Sequence, residues 1–129
     1  MTKQNVFVLR PSVTVVQDAE PIATIYRNLG TDSADRIVSR AVSELALTLN
    51  GLQTRIAQHD LTDLARPLRK LEQMADNLGL ISLAATSVDL RASLENADFT
   101  AFSAIWARLL RVAERSLALG QTTADRSTL

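Results

Sequence analysis

From Glu20 onward the apolar residues of this chain return at steps of three or four positions, and the stretches that do so are separated by short breaks. That period belongs to the α-helix, which brings residues i, i+3, i+4 and i+7 onto one face, whereas a half-buried strand needs strict alternation. The segment from about Glu20 to Leu29 puts Ile22, Ile25 and Tyr26 on one side, and Gly30 supplies a left-handed residue to end it. Asp32-Ser33-Ala34-Asp35 then reads as a helix start. Asp32 is expected to accept from free backbone N–H groups, and Asp35 to sit in the first turn, where negative charge is favoured.

The helix that follows, to about Gln58, stacks Val38, Ala41, Val42, Leu45, Leu49, Leu52 and Ile56. Asp60-Leu61-Thr62-Asp63 repeats the start signal and opens a third helix to about Asn77, with Leu64, Leu68, Leu71, Ala75 and Leu78 inward. Its outer face carries Arg66, Arg69, Lys70 and Gln73, while Pro67 calls for a kink or a late helix start. Beyond Gly79 a fourth helix carries Leu80, Leu83, Val88, Leu90 and Leu94. Asp98 caps a fifth, in which Phe102, Ile105, Trp106, Leu109, Leu110 and Ala113 line up until Gly120 ends it.

Connections of two to four residues between helices of fifteen to twenty-five force neighbours to be antiparallel. The expected fold class is all-α: an up-down-up-down four-helix bundle with a short extra N-terminal helix and an extended N-terminal arm. The arm covers residues 1–19, where Val6, Val8, Val13, Val15 and Val16 are broken by Pro11 and closed by Pro21. The bundle covers 20–119, and 120–129 is expected to be a flexible tail of Thr, Ser, Asp and Gln.

Composition removes several classes of function. Fourteen Lys and Arg balance fourteen Asp and Glu, which argues against nucleic acid as a partner, and no basic run is longer than Arg69-Lys70. The absence of cysteine excludes disulfides and thiolate metal sites. No uninterrupted apolar run exceeds the four residues of Val6-Phe7-Val8-Leu9, too few for a membrane span or a signal-peptide core, so a cytoplasmic protein is expected. The four glycines stand alone at 30, 51, 79 and 120 and form no phosphate loop.

Candidate chemistry narrows to two places. His59 is the only imidazole, and a triad or a His-rich metal site would have to be built around it. Its plainer reading is a solvated side chain near a helix C-terminus. The carboxylate pairs Asp32/Asp35 and Asp60/Asp63 are accounted for by helix starts, and Phe102 and Trp106 by the core. That leaves Arg66, Arg69 and Lys70, a basic cluster on one helical face whose plainer reading is solvation.

The order of these elements resembles the histidine-containing phosphotransfer (HPt) domain of bacterial multistep phosphorelays, over about a hundred residues from Glu20 to Leu119. The pieces that carry the resemblance are Gly30-Thr31-Asp32, Asp60-Leu61, Asn77-Leu78-Gly79, and the hairpin from Leu90-Arg91 to Asn96-Ala97-Asp98. Ten positions back from Gly79 and nine forward from Asp60 both fall on Arg69, the place of the family's phosphoaccepting histidine. Leu71 matches the signature leucine and Ala75 a small residue. Glu72, Gln73 and Met74 replace the signature Lys, Gly and Ser, and an alternative alignment on Arg66-Pro67-Leu68-Arg69 supplies no histidine either.

The resemblance carries a consequence through that replacement. In the family, relay transfer from an aspartyl phosphate needs the lone pair of an imidazole nitrogen at this position, and a guanidinium has only donors and stays protonated. The chain is therefore expected not to be an enzyme and to need no cofactor or metal. It would bind a receiver domain or a histidine kinase through Arg66, Arg69, Lys70 and Gln73 without accepting phosphate, as a monomer or weak homodimer. Two alternatives stand beside this: a relay protein phosphorylated on His59, and a helical assembly subunit with no relay role.

Overall fold

The computed structural model describes the backbone of residues 14–128 and side chains as far as 118. Among the described residues there are five helices and no strand: α1 Glu20–Leu29, α2 Thr31–Ala57, α3 Ala65–Asn77, α4 Ile81–Glu95 and α5 Phe99–Thr128. α1 packs on α2, α2 on α3, α3 on α4 and α4 on α5. The core is the expected leucine set: Leu45, Leu52, Leu64, Leu68, Leu71, Leu83, Leu90 and Leu109 are all essentially inaccessible, with Phe102 among them and Trp106 packed partly buried against them.

Three of the helices end in the same way. At the end of α2 the N–H of His59 donates to Ile56 O (3.0 Å) and that of Asp60 to Arg55 O (2.9 Å). At the end of α3 Gly79 donates to Asp76 O (3.0 Å) and Leu80 to Ala75 O (2.8 Å). At the end of α4 Ala97 donates to Leu94 O (3.1 Å) and Asp98 to Ser93 O (2.9 Å). These are paired 5→2 and 6→1 bonds of the Schellman motif, which needs a left-handed residue at its hinge. The hinges are His59 (φ 58°), Gly79 (φ 74°) and Ala97 (φ 53°).

Asp98 caps α5 as expected, accepting from the Ala101 N–H (3.1 Å), but the starts of α2 and α3 depart from expectation. α2 begins at Thr31, directly after Gly30, so Asp32 lies inside the first turn and caps nothing with its side chain. Asp35 is engaged elsewhere, accepting a hydrogen bond from the Tyr26 hydroxyl of α1. Asp60 and Asp63 do not cap α3: Asp60 accepts from the hydroxyl (2.7 Å) and N–H (3.2 Å) of Thr62 in a turn of its own, and α3 starts only at Ala65. The late start resolves Pro67, which falls in the first turn where its missing N–H has no helical partner to lose. The α2–α3 connection is correspondingly longer than expected, and α3 is shorter, at 13 residues.

Two further expectations change. Val88 faces solvent at 36% exposure, and α4 instead buries Thr86, Ser87 and Ser93. Their hydroxyls donate back to the carbonyls of Ser82 (2.7 Å), Leu83 (2.8 Å) and Leu90 (2.7 Å), so none of the three is stranded and the small side chains let neighbouring helices approach. Gly120 does not end α5, which continues through it to Thr128. A single glycine costs a helix only about 1 kcal/mol against alanine, and no proline follows to enforce a stop.

Of the N-terminal arm, residues 1–13, including Val6, Val8 and Val13, lie outside the described residues. The part from Thr14 to Asp18 carries no regular structure and is fastened to the α3–α4 turn. Asp18 N–H donates to Gly79 O (2.8 Å), Val16 N–H to Ser82 Oγ (2.7 Å), Ser82 N–H to Val16 O (3.2 Å), and the Gln17 amide to Ser116 O of α5 (3.3 Å). Val15 packs against the core.

Tyr26 gives this end of the molecule a pH signature. The hydrogen bond to Asp35, then partial burial, then the Asp35 charge all favour the neutral phenol and raise its pKa above the usual value of 10. A raised acid contributes stability that is present below the unfolded pKa and is lost as pH rises through the folded one. Tyr26 is the only tyrosine, so phenolate absorbance reads it alone. Its midpoint is expected above ~10 and to fall in Asp35→Asn; identical midpoints in the two proteins would remove Asp35 as the cause.

Candidate functional site

The face singled out in α3 is fixed by how that helix is buried. Leu64, Leu68, Leu71, Ala75 and Leu78 turn inward at steps of four and three, which leaves Arg66, Arg69, Lys70 and Gln73 on the opposite side. All four are exposed. The three cations have no ion pair or side-chain hydrogen bond with a described residue, and Asp76, one turn beyond Gln73, is the acidic member of the same face.

Glu72 stands apart from it. Its carboxylate takes a charge-assisted hydrogen bond from Arg91 of α4 at 2.9 Å, with both side chains about three-quarters buried at 29% and 20% exposure. The carboxylate nearest in sequence to the cluster is thus turned toward α4 and neutralised there. This pairing lies nineteen positions apart and depends on the turn at Gly79 folding α4 back on α3, which no local pattern specifies.

His59 is not part of this face. It is exposed in the α2–α3 connection and serves there as the left-handed hinge of the α2 terminus. Beside it, hydrogen bonds from Thr62 and then the nearby Arg55 (3.7 Å) hold the Asp60 carboxylate below the usual range. Among the described residues no group of three His, Cys, Asp or Glu side chains is placed to hold a metal ion. No described helix is long and apolar enough to cross a membrane.

Chemically the α3 face offers hydrogen-bond donors and positive charge. Arg66 and Arg69 can each meet a carboxylate or phosphate in a two-pronged contact, Lys70 supplies a point charge, and the Gln73 amide both donates and accepts. Such a face can bind an anionic surface. No protein-family model matches the chain, and no curated protein or solved structure matches it either.

Proposed function

We propose that the protein is a non-catalytic, HPt-like signalling module in the cytoplasm, which binds a receiver domain or a histidine kinase of a two-component phosphorelay without accepting phosphate. In this reading α2 to α5 form the up-down-up-down bundle and α1 is the short helix that precedes it. The observation that carries the reading is Arg69, exposed on a helix face at the position where the resemblance puts the phosphoaccepting histidine, with Arg66 and Lys70 alongside. Receiver domains present an acidic pocket to that position in the family, and a guanidinium can enter it as a non-reacting substitute for the imidazole. Binding then inhibits or scaffolds by occupation.

The test begins with a panel of purified receiver domains and kinases titrated calorimetrically against the chain at moderate salt. Truncating one charged partner at a desolvated interface costs ~2 kcal/mol or more, whereas an exposed, solvated Arg contributes almost nothing. Arg69→Ala is therefore expected to weaken binding roughly tenfold or more, and Arg108→Ala, exposed on α5, to change it little. Equal affinities for the parent and Arg69→Ala return the cluster to a solvated face. Incubation with a phosphorylated receiver is expected to leave the chain unlabelled; acid-labile phosphate on His59 would establish the catalytic alternative instead.

A further inference from the structure

Residues 14–29, the fastened part of the arm together with α1, include no buried residue. Each of the other four helices buries three or more among its described residues. Internally the segment is one piece. The N–H of Glu20 donates to Asp18 Oδ1 (3.0 Å) and that of Ala23 to Ala19 O (2.9 Å), so the end of the arm is built into the first turn of α1. It is held to the bundle by the arm's bonds to the α3–α4 turn and α5, by the Tyr26 bond to Asp35, and by the half-buried Val15 and Ile22 over the core. A segment with few buried contacts and exposed hydrogen bonds belongs to the low end of local stability.

The joint at its other end is one residue long. Gly30 alone separates α1 from α2, and both helices already use it: its N–H donates to Tyr26 O (2.9 Å) and its carbonyl accepts from the Ala34 N–H (3.0 Å). Its backbone angles, φ 79° and ψ 168°, break the helix there, and that combination is essentially confined to glycine. A Cβ at Gly30 would meet nothing within 4 Å, so no neighbour at that point dictates the bend. The bend leaves the N–H groups of Thr31, Asp32 and Ser33 without an acceptor among the described residues. In a continuous helix they would bond the carbonyls of Arg27, Asn28 and Leu29, the three bonds missing across the joint.

We propose that residues 14–29 form a strap that swings on Gly30 between two states. Closed, it lies across the α3–α4 turn and α5, as in this structure; open, α1 continues α2 as one helix from Glu20 to Ala57. Opening exchanges five hydrogen bonds to the bundle for three across the joint, and it uncovers the core beneath Val15 and Ile22. The closed state is the ground state, and the difference is small enough for the strap to act as a switch on access to that apolar surface. The inference concerns α1 and the arm and stands independently of the role proposed for α3.

Amide hydrogen exchange of the full chain, followed residue by residue, tests it. Gly30→Ala disfavours the bent joint and favours helix in its place. The Asp18 and Ser82 amides, which bond across the closed strap, are expected to exchange about tenfold faster or more, and those of Thr31, Asp32 and Ser33 about tenfold slower or more. Slowing at the joint is a gain that mere loosening of the strap does not produce. Tyr26→Phe cuts the bond to Asp35 and leaves Gly30 intact, and it decides alone where Gly30→Ala does not fold. It is expected to speed exchange at Asp18 and Ser82 severalfold and by a common factor, because the strap leaves as a unit. Unchanged exchange at Asp18 and Ser82 in either variant overturns the inference. So does faster exchange there in a folded Gly30→Ala protein with no slowing from Thr31 to Ser33.

Discussion

Replacing Gly79 by alanine is expected to lower the free energy of unfolding by roughly 3 kcal/mol, from left-handed strain together with lost hydrogen bonds. The strain arises because Gly79 holds φ at 74° as the hinge of the α3 terminus, where a Cβ costs ~1 to 2 kcal/mol. Space adds the rest: a Cβ at this position would stand 1.9 Å from the carbonyl oxygen of Asp18, an overlap that only a backbone shift relieves. The arm then lifts, and the Asp18 to Gly79 bond and the two between Val16 and Ser82 go with it. Denaturant unfolding monitored by Trp106, the only tryptophan, measures the loss. His59→Gly makes the opposite change at another hinge: it relieves left-handed strain at an exposed position and is expected to stabilise by up to ~1 kcal/mol. A loss below ~1 kcal/mol for Gly79→Ala would mean that the arm does not rest on the turn.

The legibility of this fold in its sequence divides along a physical line. The leucines of α2 and α3 announce their helices and their buried faces, because burial of one side of a helix writes its period directly into the sequence. The exposure of Arg66, Arg69, Lys70 and Gln73 comes from the same period. Helix ends are harder to read. Glycine announces the hinge at Gly79, but His59 and Ala97 do the same work with a Cβ, and what holds them left-handed is a pair of backbone bonds that leaves no trace in side-chain identity. Asp32, Asp60 and Asp63 resemble caps because a capping aspartate and a turn aspartate are the same residue.

α4 departs from its expected faces for a related reason. Its buried Thr86, Ser87 and Ser93 satisfy their own hydroxyls within the helix, while Val88 and Ala85 are exposed, so polarity and burial run against each other along this one element. The Glu72 to Arg91 pair is equally hidden from the sequence, since it exists only once α4 has folded back. At the candidate site, therefore, the cations are readable from α3 alone, whereas the removal of Glu72 from their midst is not.

Leu71→Ala and Leu45→Ala are each expected to destabilise the fold by ~2 to 5 kcal/mol, the range for fully buried leucines whose surroundings relax only in part. Both are completely inaccessible, on α3 and α2 respectively. Leu71 is expected toward the upper end, because α3 is packed by α2 on one side and α4 on the other and has little room to collapse into the space left. Leu47→Ala, on the same helix as Leu45 but mostly exposed, should stay within about 0.5 kcal/mol and controls for helix propensity. Chemical denaturation with Trp106 fluorescence reads all three, and losses below ~0.5 kcal/mol at both Leu71 and Leu45 would mean that the inward faces are wrongly assigned. The same series separates stability from recognition. If α3 binds its partner through Arg69, Leu71→Ala should weaken binding only in proportion to the unfolded fraction, because it removes packing beneath the face and no donor upon it.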